Sequence, residues 1–87
     1  MSINRKIEFM FNNIPNRFNL SLNYLLSQKD NLILIIKNEC NTHMDMSIFE
    51  DNIILYDIHN NIIINTVQDL VENKTKKCKI IIKPISY

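Results

Sequence analysis

Apolar side chains alternate with polar ones in the first quarter of this chain. In "KIEFMF" Ile7, Phe9 and Phe11 share one face, and in "RFNLSLNYLL" Phe18, Leu20, Leu22 and Tyr24 alternate with Asn19, Ser21 and Asn23. A period of two is a strand signal. Asparagine and serine are poor in mid-helix because their side chains compete for the backbone. The two runs predict a hairpin with "NNIPN" as its turn. A helix competes for the second run, since Phe18, Leu22, Leu25 and Leu26 also fall at helical spacing after Pro15.

In "SQKDNLILIIKNECN", Ser27 and Asp30 make a capping box ahead of an apolar run. Leu32, Ile36 and Cys40 lie on one helical stripe, while "LILII" would equally suit a strand buried on both faces. The polar, unpatterned "NTHMDMSIFED" predicts the longest loop.

The clearest segment is "DNIILYDIHNNIIIN", two strands flanking "HNN". The chain contains no glycine, so Asn60 and Asn61, the side-chain type that best tolerates positive φ, take the turn. Thr66 then caps a short helix, "VQDLVEN", with Asp69 as its box partner and Val67, Leu70 and Val71 facing inward. "KKCKIIIKPIS" predicts a last strand with Cys78, Ile80 and Ile82 on one face and Lys77, Lys79 and Lys83 on the other, ended or marked as an edge by Pro84. The predicted class is α+β: a small, mainly antiparallel sheet with one or two helices on one face.

That order of elements resembles the ubiquitin-like β-grasp, and within it the PB1 and doublecortin-type interaction modules. The resemblance covers most of the chain in topology and "ILYDIHNNIIINTVQDL" in detail. It implies a protein-binding role, with Asp57 and Asp69 as the acidic positions of a PB1-type motif and Lys6 as the basic residue of the first strand. His59, Asn60 and Asn61 stand where that motif carries acids and glycine, and "KPISY" lacks the Gly-Gly used in conjugation.

Length adds one constraint: 87 residues suffice for one domain, expected over 1–87, since domains usually hold roughly 100–150. With 46% hydrophobic and 22% charged residues the chain is within the globular range, and disorder is not expected. Isoleucine and asparagine dominate while alanine, glycine and tryptophan are absent, which indicates an A/T-rich coding genome of the kind found in many viruses, parasites and low-GC bacteria. A net charge of +1 supplies no global field for nucleic acid or an anionic membrane. Two cysteines make no disulfide framework, the N-terminal stretch does not read as a signal peptide, and "LILII" is far too short to cross a bilayer. A reducing intracellular compartment, the cytoplasm by default, is expected, with no membrane partner.

Candidate chemistry is sparse. Cys40-x-x-His43 has metal-ligand spacing, and only Cys78 and His59 remain to complete four ligands; a half-buried cysteine beside a loop histidine is the preferred reading. A Cys/His nucleophile with Asp57 as orienter can be drawn, but there is no catalytic elbow, phosphate loop or HExxH. No catalytic residue, metal or cofactor is expected. Lys74, Lys76, Lys77, Lys79 and Lys83 form the basic cluster, read as edge protection or solvation ahead of a protein partner, and nucleic acid last. Phe9, Phe11, Phe18 and Tyr24 read as core. Met44, Met46, Ile48 and Phe49 read as a lid or an adaptable docking loop.

The expectation is therefore a non-enzymatic protein–protein interaction domain, a small subunit or adaptor that meets a protein partner or itself. Its binding face is Lys77, Lys79, Ile81 and Lys83, with Asp57 and Asp69 as a second, acidic face and with "KIEFMF" or "KCKIIIKP" as edges open to a partner strand. Two alternatives stand beside it: a small nucleic-acid-associated protein using the lysine cluster, and a virus- or phage-encoded inhibitor docking on a host protein.

Overall fold

The structure, a computed structural model, describes residues 5–11, 15–44 and 53–83. Strands β1 (Lys6–Phe11) and β2 (Arg17–Ser21) form the expected antiparallel hairpin, with Phe9 opposite Phe18 and their rings stacked 5.5 Å apart. The second strand stops earlier than the alternation suggests. Ser21 keeps an extended backbone while its hydroxyl accepts the amide of Tyr24, which starts helix α1 (Leu22–Ser27). The strand and helix readings of this stretch thus hold in succession. Leu22 and Leu25 enter the core from the helix, and Tyr24 is exposed rather than part of the core.

Helix α2 (Leu32–Met44) resolves the second ambiguity in favour of helix. Leu32, Ile35, Ile36 and Cys40 are all buried, at spacings of three, four and eight that keep them on one face. Its start differs from the predicted box. Asn31, not Ser27, supplies the capping oxygen, accepting the amide of Leu34 at 2.9 Å, while the Ser27 hydroxyl donates to the Tyr24 carbonyl at the end of α1. The helix also takes in the first four residues of the stretch read as a loop. Met46, Ile48 and Phe49 lie outside the described residues, as do the side chain of Met44 and the turn residues 12–14.

The second hairpin joins β3 (Ile53–Asp57) to β4 (Ile62–Ile64). Its loop is four residues long, and one of them, Asn61, takes positive φ (57°), while Asn60 has another task described below. Helix α3 (Val67–Glu72) is capped as expected, with the Thr66 hydroxyl accepting the Asp69 amide and the Asp69 carboxylate accepting the Thr66 amide. Leu70 is buried and Val67 and Val71 pack against the core. The helix ends on a Schellman arrangement in which Thr75 N–H donates to the Leu70 carbonyl and Lys74 N–H to that of Val71. Lys74 holds the left-handed position usually given to glycine, at φ 51°. The Arg5 guanidinium also donates to the Leu70 carbonyl, at 2.7 Å.

Strand β5 (Lys77–Ile82) then runs between the two hairpins, giving the order β2-β1-β5-β3-β4. It is parallel to β1 and antiparallel to β3; every other pairing in the sheet is antiparallel. Neither β1 nor β5 is an edge, so the two strands expected to accept a partner strand are already paired on both sides, and edge protection cannot explain the lysines of β5. Among the described residues three helices, more than the one or two predicted, cover one face of the sheet. They contribute Leu22, Leu25, Leu32, Ile35, Ile36, Cys40 and Leu70 to a core whose sheet side is Ile7, Phe9, Phe11, Ile53, Leu55, Ile64, Cys78 and Ile80.

Candidate functional site

Alternation along each strand sends every second side chain to the other face of the sheet, away from the helices. The register lines up one row across all five strands there: Arg17, Met10, Lys79, Tyr56 and Ile63. Ile54 and Ile81 are opposite one another in the next row, and Glu8 stands opposite Lys77. Met10, Ile54, Tyr56 and Ile81 are half-buried and Ile63 is 56% exposed. Scattered apolar surface residues need no explanation, but five accessible ones gathered on one sheet face do. Lys79 lies within this stripe, between Met10 and Tyr56, while Arg17 stands at its β2 end and Lys77 at one end of β5. Glu8, the one carboxylate of this face among the described residues, accepts Arg17 at 3.5 Å, a long and solvent-exposed pair.

A second arrangement lies at the end of β3. Asp57 is completely buried, yet its carboxylate is fully engaged: Oδ1 accepts the backbone amides of His59 and Asn60, each at 3.0 Å, and Oδ2 accepts the Asn60 side-chain amide at 2.7 Å and the Thr75 hydroxyl at 2.6 Å. Asn60 Nδ2 also donates to the Asn73 carbonyl at 2.8 Å. A single carboxylate therefore ties the β3–β4 loop to the turn that follows α3. Burial by itself raises the pKa of such a carboxyl, but the donors from Thr75, Asn60 and His59 prevail and hold it below the usual value.

Between these two tied segments is a groove of about 710 Å³, lined by Ile58, His59, Asn60, Asn73, Lys74, Lys76 and Lys77. Lys74, Lys76 and Lys77 have no carboxylate partner within ion-pair distance among the described residues. Three lysines thus line one concavity, and Lys77 belongs both to it and to the sheet face.

The structure sorts the residues singled out in the sequence. Lys77, Lys79 and Ile81 do share the open sheet face, and Lys83 is exposed just past the end of β5. Asp57 does not belong to any exposed acidic face, because it is buried and saturated with donors. Asp69 is half-buried, and its carboxylate accepts the amides of Asn65 and Thr66, which lower its pKa; those hydrogen bonds serve the helix start. Cys40 and Cys78 are buried free thiols, raised by burial to about 11 and about 12, with Glu39 and Asp57 respectively adding to the effect. Among the described residues no three His, Cys, Asp or Glu side chains converge on a point. No helix among them is long and apolar enough to cross a membrane.

Sequence reasoning missed Met10, Ile54, Tyr56 and Ile63 as surface residues, and His59, Asn60 and Asn73 as groove residues. A signal for the first set was present. "IILY" and "III" are apolar at both phases of the alternation, so one phase has to face away from the helices. Comparison with known proteins adds no relative: no family model, no curated protein and no solved structure matches the chain.

Proposed function

We propose that this protein is a non-enzymatic protein–protein interaction domain that docks a separate protein partner on its open sheet face. The observation that carries the reading is the apolar stripe of Met10, Ile54, Tyr56, Ile63 and Ile81 on the face away from the helices, with Lys79 set into it and Arg17 and Lys77 at its margins. An apolar surface with charges set in and around it is suited to binding, the apolar part supplying affinity and the charges selection. Glu8 pairs with Arg17, and the remaining charges, Lys77 and Lys79, are cationic, so the fitting partner presents an apolar patch that carries Asp or Glu.

The strand order, with β1 and β5 parallel at the centre, is similar to that of the ubiquitin-like β-grasp and supports placing the chain beside such interaction modules. Asp57 and Asp69 serve the fold's own hydrogen bonds, which argues against the acidic-to-basic self-association of the PB1 type and in favour of a different molecule as partner. A small subunit or adaptor of a larger assembly is the role that suits a domain of this size.

The test compares affinity capture by the wild type with capture by Ile63→Glu and Lys79→Glu variants. Both substitutions lie on the open face and leave the core unchanged, so thermal melting should be preserved. A partner held by the wild type and lost by both variants, whose addition moves the amide signals of Met10, Ile54, Tyr56 and Ile81, supports the reading. Retention of the same partners by both variants overturns it. Light scattering supplies a second arm: a mass that rises above 10.3 kDa with concentration would reassign the face to a second copy of this chain.

A further inference from the structure

We infer that the groove between the β3–β4 loop and the turn after α3 is a subsite for a carboxylate-rich segment of the partner protein, read by Lys74, Lys76 and Lys77 together with His59. The inference rests on the docking role proposed above and names a second point of contact for the same partner.

Three observations converge on it. Lys74, Lys76 and Lys77 approach one concavity of about 710 Å³ from the same connection, and none has a carboxylate partner among the described residues. Like charges gathered without counter-charges repel each other, and an anionic ligand relieves that repulsion. Both walls are held by one buried group, because Asp57 accepts from His59 and Asn60 on one side and from Thr75 on the other. A site whose walls are fixed beforehand loses less conformational freedom on binding. Finally, the groove is continuous with the sheet face, since Lys77 lines it and also sits opposite Glu8 on that face. A partner chain crossing the sheet can enter it without a break.

The carboxylates of a peptide fit better than a nucleic-acid backbone. Among the described residues no Phe, Tyr or Trp lines the groove to stack a base, and the chain as a whole carries only one net positive charge. The buried Asp57 is a positioning residue; its oxygens are all engaged within the fold.

The test titrates the ¹⁵N-labelled full chain with a capped hexaglutamate peptide and, in parallel, with a thymidine hexanucleotide, at low and at physiological salt. Amide shifts from hexaglutamate should concentrate at Ile58, His59, Asn60 and Asn73 through Lys77, and binding should weaken as salt rises. A Lys74→Glu/Lys76→Glu variant should bind roughly tenfold more weakly or worse, and a Lys29→Glu/Lys37→Glu control should bind as the wild type does. Shifts spread evenly over all lysines, equal losses in the two variants, or tighter groove binding by the hexanucleotide would each overturn the inference. The wild-type footprint decides the matter even where a variant fails to fold. The two proposals fail separately: a silent groove with partner capture still lost in Ile63→Glu removes the subsite alone, whereas intact capture in Ile63→Glu removes the sheet-face reading and leaves the titration to judge the groove.

Discussion

Thr75 donates its hydroxyl to Asp57 across 2.6 Å, inside the protein, and this one bond links the end of β3 to the start of β5. A hydrogen bond to a buried carboxylate is stronger than a neutral one, and losing a partner leaves the remaining group desolvated and short of a donor. Thr75→Val should therefore destabilise the protein by about 1–3 kcal/mol. Asp57→Asn keeps the size but sets an amide N–H₂ against donors, and should lower stability by at least as much. Chemical denaturation with an unchanged slope, so that the midpoint alone moves, is the appropriate measurement. A midpoint shift within error for both variants would mean that the Asp57 cluster contributes nothing to folding.

Acid should act through the same residue. Asp57 and Asp69 both have folded-state pKa values below the ordinary carboxylate value of about 3.9. For Asp69 the largest cause is the backbone amide of Asn65, opposed by burial and assisted by Thr66. The unfolded chain then binds protons more readily than the folded one, so unfolding takes up protons. Their stabilisation is fully present above the unfolded value and is lost as pH falls through it towards the lower folded values. Melting temperatures should be insensitive to these two groups between pH 7 and pH 5, roughly, and drop below about pH 4. The drop should be shallower in Asp57→Asn.

Lys74 and Asn61 occupy left-handed backbone positions at φ 51° and 57° in a chain without glycine. A lysine there carries a penalty of about 1 kcal/mol relative to glycine, and an asparagine somewhat less. Lys74→Gly should raise the unfolding free energy by about 1 kcal/mol, offset in part by the greater freedom of glycine when unfolded, whereas Asn61→Gly should bring no gain, because it also removes the acceptor of the Tyr56 hydroxyl. Lys74→Gly should at the same time weaken hexaglutamate binding, so stability and groove affinity move in opposite directions in one variant. A substitution that raised both would contradict the role given to the Lys74 ammonium.

The thiols give a further check. Cys40 and Cys78 are buried and raised to about 11 and about 12, so little thiolate exists at neutral pH. An alkylating reagent at pH 8 should leave both unmodified in the folded protein and label both in denaturant. Rapid labelling of Cys78 without denaturant would show that the centre of the sheet opens.

Local signals placed most of the elements. Both hairpins, the Thr66–Asp69 box, the inward residues of β1 and the inward Cys78 and Ile80 of β5 follow from alternation and capping chemistry within ten or so residues. Residues 18–44 were less legible because Ser21 works as both the last strand residue and a helix cap, a double role that averages two periodicities. Strand order was not legible at all, since which strand pairs with β1 depends on contacts between segments distant in sequence. That gap moved β5 from an assumed edge to the centre and changed the meaning of Lys77 and Lys79. Asp57 looked like a surface acid because only its partners, Asn60 and Thr75, make its burial tolerable, and Thr75 is eighteen positions away.

The parallel pairing of β1 with β5 also bears on how the protein is born. Each hairpin can close soon after its own residues leave the ribosome, but the strand that unites them is the last to emerge. Until then β1 and β3 each present an unpaired edge to their surroundings. Nascent and C-terminally truncated chains are therefore the forms that should engage chaperones and proteases, while the finished domain, with its late strand inserted, should not.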